Sequence, residues 1–144
     1  MTATVLSICA LVVSLTSLGW QVVSWLRTGP VIKVKRHYVI AVIAGAVAPG
    51  HYLAVAATNR GRAPASITNW GLLLPDDVTT SSISAPLPGV EPLPHRLDPY
   101  AEVSWYLGEE EVDRICQERG ISRAQMRPFV NVSGQGRKVG KPLG

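Results

Sequence analysis

Residues 52–67 read YLAVAATNRGRAPASI. Leu53, Val55 and Ala57 recur at every second position, the period of a strand that buries one face. Asn59-Arg60-Gly61 follows as a turn signal, because Asn bonds to nearby backbone and Gly accepts left-handed conformations. A further apolar run, Ile67 to Leu74, stops at Pro75-Asp76-Asp77. A strand, a tight turn and a second strand therefore set the expectation of a β body.

The same period extends in both directions. Ile32 and Val34 alternate with Lys33 and Lys35, and apolar residues continue through Tyr38, Val39, Ile40 and Val42. Gly45 and Pro49-Gly50 mark the next turn. Val78 to Ser84 reads as a short Thr/Ser-rich edge strand. Val103, Trp105 and Leu107 alternate with Glu102, Ser104 and Tyr106, a further strand. The period then changes. Glu109-Glu110-Glu111 suits the positive end of a helix dipole, Val112, Ile115 and Cys116 form an apolar stripe, and Gly120 stops it. Ser122 and Gln125 have capping-box spacing, with Ile121 and Met126 placed as a hydrophobic staple. Phe129 to Ser133 reads as the last strand. From Gly134 the Gly- and Lys-rich composition predicts a mobile tail.

Pro86, Pro88, Pro92, Pro94 and Pro99 fall within 14 residues and exclude regular helix or a central strand there. The segment reads as an extended crossover between two sheets, or as a binding loop. Leu93, Pro94, His95 and Arg96 are its candidate partner contacts, since proline-rich backbone is preordered for recognition.

Many short strands with Pro/Gly turns argue for a mainly β fold rather than α/β. The segment Tyr52 to Ile67 resembles the "apolar strand, Asn-x-Gly, small residues, apolar strand" pattern of bacterial immunoglobulin-like sandwich domains. Leu97-Asp98-Pro99-Tyr100 and the alternating strand after it are similar to their "Leu-x-Pro-Gly" segment, with Tyr100 in place of Gly. The resemblance covers residues 31–107, carries fold alone, and implies an immunoglobulin-like β-sandwich with a helical insertion at 109–126. The whole layout also resembles small membrane proteins of actinobacteria and their phages. That resemblance implies no activity.

Ahead of the body, the 22 residues Val5 to Leu26 carry no charge. As a helix they span about 33 Å, against a hydrocarbon core of about 30 Å. Trp20 and Trp25 suit the headgroup boundary, and Gly29-Pro30 ends the helix. A cleaved signal peptide fits poorly: residues 1–8 hold no Lys or Arg, and Trp20, Trp25 and Leu26 crowd the exit. Arg27, Lys33, Lys35 and Arg36 follow the span, and no basic residue precedes it. The expected orientation is N-terminus outside and body in the cytoplasm, with these four cations facing lipid. The resulting division is residues 1–30 as span and juxtamembrane turn, 31–134 as β domain and 135–144 as flexible basic tail.

Ser7, Ala10, Ser14, Ser17, Gln21 and Ser24 are spaced 3, 4, 3, 4, 3 and share one helix face. Small and polar residues let membrane helices approach and hydrogen-bond, so the seam suggests self-association or docking on another membrane helix. Against that stands a lone span whose Ser hydroxyls bond back to their own helix. A helix buried in a protein assembly is a third reading.

Chemistry is harder to find. His37, His51 and His95 lack metal-ligand spacing, and Cys9 and Cys116 offer no pair. The absence of a disulfide pattern suits a reducing compartment. Glu109, Glu110, Glu111 and Asp113 point in different directions on a helix and read as a solvated turn. Gly134 to Lys141 fails as a phosphate loop, because Gln135 and Pro142 stand where it needs Gly and Ser/Thr. Asn131-Val132-Ser133 is a sequon that a cytoplasmic strand would not use, and Ser104 and Ser133 lack a nucleophile-elbow context. Trp70, Trp105, Tyr52 and Tyr106 read as core or sheet-face packing. Net charge is +4, and Arg137, Lys138 and Lys141 cluster near the end. No stacking aromatics interleave with them, which disfavours nucleic acid. The expectation is no catalytic residue, metal or cofactor. It is a membrane-anchored module that binds lipid and a protein partner, with a structural subunit of an assembly such as a phage particle as the alternative.

Overall fold

Helix α1 runs Thr2–Leu26, then Gly29 and Pro30 turn the chain into the body. Every α1 residue is exposed. The helix is long and apolar enough to cross a membrane. The structure is a computed structural model that describes residues 1–41, 50–80 and 90–144. The expected strand end at Val42, the turn residues Gly45 and Pro49, the edge-strand residues 81–84 and the prolines Pro86 and Pro88 lie outside those residues.

In chain order the strands are β1 (Ile32–Ala41), β2 (Gly50–Asn59), β3 (Ala65–Leu73), β4 (Thr79–Thr80), β5 (His95–Leu97) and β6 (Glu102–Gly108). Helix α2 (Glu109–Arg119) precedes β7 (Arg127–Val132) and β8 (Gly136–Val139). One antiparallel sheet has the order β1-β2-β6, with Ile32 opposite Asn59 and Val55 opposite Trp105. The second has the order β4-β3-β7-β8, with β5 also paired to β3. The protein is mainly β, with two sheets and an N-terminal apolar helix.

The central place of β2 explains why its residues Leu53 to Ala57 are all buried. Leu53, Val55, Val103 and Trp105 from one sheet share a single core with Ile67, Leu72, Val130 and Val132 from the other. Trp70 and Trp105 stack across it, centroids 6.0 Å apart. Trp105 Nε1–H donates to the Glu91 carbonyl at 3.2 Å, so this buried ring keeps its polar atom satisfied. Burial of an aromatic of this size is among the largest single contributions a small core receives. Helix α2 adds Val112 to the core and ends on Gly120 at φ 63, a left-handed cap that costs Gly little. The Ser122/Gln125 capping box is present, opening a 3-10 turn at Arg123–Gln125, and Met126 after it is fully buried.

Two expectations are corrected. The strand read as the last, now β7, is followed by β8, in register from Val132 opposite Gly136 to Phe129 opposite Val139. The tail 135–144 is therefore not a flexible appendage. Gly140 N–H donates to Pro128 O at 2.7 Å, Leu143 N–H to Met126 O at 2.9 Å, and Leu143 is only 3% exposed. Arg36 and Tyr38 of β1 both donate to the Leu143 carbonyl. Backbone pairing and one apolar anchor outweigh the flexibility that the Gly/Lys composition suggests.

Candidate functional site

The site begins at Asn59, the last residue of β2. It is fully buried, and its amide is a hub. Oδ1 accepts from Gly61 N–H at 2.9 Å and from Val31 N–H at 3.3 Å. Nδ2 donates to Ala63 O at 2.8 Å and Leu97 O at 3.3 Å. Arg60 N–H donates to Val31 O at 2.8 Å, and Gln135 Nε2 donates to Pro30 O at 2.9 Å. Gly61 packs against the linker so closely that an added Cβ would lie 2.3 Å from Gly29 O. The turn after β2 thus clamps the segment that leaves α1, and the helix end is held against the body.

This clamp sets the charges. A cleft of about 1120 Å³ lies where the outer strands of the two sheets, β1 and β8, approach. Lys33, Lys35 and Arg36 of β1 line it with Arg60 and Arg127. Arg137 and Lys138 of β8 and Lys141 complete the set, eight of the chain's 14 basic side chains. No carboxylate lines it, and all ten acidic residues lie within the described segments. Among the described residues, the one ion pair to a cleft cation is Arg137 with Asp77 at 3.3 Å. Arg137 also sits 5.3 Å over the Phe129 ring. Elsewhere the pattern reverses. Arg96 bonds Asp98 at 3.1 Å, Arg114 bonds Glu111, and Arg123 bonds Asp113 at 2.6 Å. Like charges gathered with a single counter-charge among them raise the local potential and draw anions to the cleft.

The expected lipid-facing cations separate. Lys33, Lys35 and Arg36 enter the cleft, with Arg36 half-buried and tied to the Leu143 carbonyl at 2.6 Å. Arg27 instead shares a smaller cavity of about 300 Å³ with Arg60 and Arg62 at the helix end. Arg60 lines both. In the candidate loop Leu93 and Pro94 form a bend that leads into β5: Leu93, Pro94 and Arg96 are exposed, while the His95 ring meets Trp105 edge-on at 6.3 Å. On α1, Ser7 and Ser14 donate to the carbonyls of Ala3 and Ala10, so these two seam residues spend their protons on their own helix. Ala10, Ser17, Gln21 and Ser24 stay on the same exposed helix.

His37, His51 and His95 sit on β1, β2 and β5, and no group of three or more His, Cys, Asp or Glu is placed to hold a metal among the described residues. Burial pushes the Cys116 thiol up, and the neighbouring Asp113 adds to the rise. Such a thiol stays protonated at neutral pH and is a poor nucleophile. The hydrogen bond from Arg123 to Asp113 raises the guanidinium, which stays charged. Arg60, Arg62 and Arg127 were not singled out by the sequence. Arg60 and Arg62 flank the one glycine on which the linker packs, which is a signal readable only with the fold. No protein-family model, curated protein or solved structure matches the chain.

Proposed function

We propose that this chain is a non-enzymatic, membrane-anchored binding module. The observation that carries the reading is α1, uncharged from Thr2 to Leu26 with no residue covered by the body. An apolar surface of that size needs lipid or protein around it. The proposed topology is one crossing, N-terminus outside and β body in the cytoplasm. It is supported by the basic residues lying only after the span and by the basic cleft lined by β1, the first strand after the helix. We read the two-sheet body as an immunoglobulin-like β-sandwich with α2 as an insertion. It works by presenting a basic surface to an anionic membrane and to a protein partner, and Gln21 and its seam neighbours offer a contact to a second helix.

The second reading, a structural subunit of an assembly, rests on the same exposed helix, covered then by protein. Fractionation separates them. A membrane protein stays in the pellet through alkaline carbonate and is released by detergent. Release of the full chain without detergent overturns the proposal in favour of the assembly.

A further inference from the structure

We propose that the cavity between the end of α1 and the turn after β2 binds the phosphate of an anionic membrane lipid headgroup. This rests on the reading of α1 as a membrane span. The cavity holds about 300 Å³ and is lined by three arginines from two distant parts of the chain, Arg27 on one side and Arg60 and Arg62 on the other. No carboxylate lines it. Arginine forks match phosphate oxygens in pairs, which a diffuse basic surface does not do.

Depth supplies the second observation. Thr2 to Gly19 covers about 27 Å along the helix, close to the thickness of a hydrocarbon core. That puts Trp20 at the boundary, and Arg27 lies about 10 Å further along the axis. The headgroup layer of one leaflet is roughly 5–8 Å thick. Trp20 and Ser24, which line the cavity from the helix side, therefore lie at headgroup depth, and Arg27 lies just beyond it, within reach of its long side chain.

Tyr100 is the third observation. It lines the cavity from the body, is 70% exposed and is held at φ 62, a left-handed conformation that strains an L-residue with a bulky side chain. Such strain persists only where the surroundings enforce it, and it gathers at binding sites. An exposed aromatic ring on each side of the cavity suits the zone between acyl chains and water. The clamp of Gly61 on the Gly29–Val31 backbone then gives the two sets of arginines a fixed spacing. Preorganised donors hold a ligand more tightly than mobile ones.

The test uses the full chain in a neutral detergent, with native mass spectrometry counting retained lipid. Phosphatidylglycerol and phosphatidylcholine of the same acyl chains are compared. Wild type is expected to hold one phosphatidylglycerol per chain in preference to phosphatidylcholine. R60Q/R62Q is expected to lose that retention by roughly twentyfold or more, since each juxtamembrane cation contributes about a fivefold factor. R114Q/R119Q removes the same charge from exposed positions of α2, away from the cleft and the cavity, and is expected to keep it. Arg60 and Arg62 are exposed, and R27Q, which changes only the helix side, repeats the loss if R60Q/R62Q does not fold. Equal loss in R114Q/R119Q, equal retention of phosphatidylcholine, or displacement by millimolar inorganic phosphate overturns the proposal. Fractionation of the same variants separates the two levels: extraction without detergent defeats the span, whereas membrane retention with lipid binding indifferent to Arg60 and Arg62 defeats this site alone.

Discussion

Replacing Asn59 with Ala removes the hub of the junction without touching the apolar core. The side chain makes four hydrogen bonds, two short at 2.8 and 2.9 Å and two long at 3.3 Å. A net intramolecular bond contributes about 1 kcal/mol, so the short pair gives about 2 and the long pair about 1. The expected loss is about 3 kcal/mol, or roughly 10 °C in Tm for a body of this size. Urea titration of the full chain in detergent micelles, followed by Trp fluorescence, measures it. Asn59→Asp refines the test. It keeps the acceptor for Gly61 and Val31 but points an oxygen at the carbonyls of Ala63 and Leu97. Burial among acceptors raises a carboxyl in the folded state above its unfolded value near 3.9. The folded state then binds more protons, so the variant loses stability as pH rises from about 4 through the raised folded value and recovers toward wild type as pH falls back to about 4. A loss under about 1 kcal/mol for Asn59→Ala, or an Asp variant indifferent to pH, refutes the reasoning.

Gly61→Ala puts a methyl against three backbone atoms at 2.3, 2.5 and 2.7 Å, which no rotamer change relieves; about 3 kcal/mol is expected by thermal unfolding. Leu143→Ala, at a site 3% exposed, is expected to cost about 2–3 kcal/mol and to speed hydrogen exchange of β8 amides, whereas a mobile tail would show neither. Cys116, with its thiol raised by burial and by Asp113, is expected to react with iodoacetamide more slowly than free cysteine at pH 8, and its reaction rate to keep climbing beyond the pH where free cysteine levels off.

The body strands were legible where alternation was strong. Val103, Trp105 and Leu107 bury as their period demands, and the capping box of Ser122 and Gln125 forms as its spacing demands. Both signals are local, so tertiary structure had only to agree with them. The eighth strand was hidden by composition. Its turn signal was present, with Gly134 and Gly136 at φ 76 and 74 between Val132 and Arg137, the glycine-rich form of a three-residue hairpin. Four residues with two cations carry too little apolar period to outweigh a tail reading, and Leu143 stands alone as an anchor. The site was less legible still. Lys33, Lys35 and Arg36 are neighbours in sequence, but Arg60 and Arg62 join Arg27 only because Gly61 lies flat on Gly29–Val31. That is a long-range backbone contact, and no residue period reports it.

The central claim is a single crossing with the basic body in the cytoplasm. Thiol labelling tests it most directly, in full-length protein carrying Cys9→Ser, Cys116→Ser and Glu118→Cys, the last on an exposed position of α2 away from the cleft. The expected result is that a membrane-impermeant maleimide labels residue 118 in broken or inverted vesicles and leaves it unlabelled in intact cells. Full labelling in intact cells contradicts the topology.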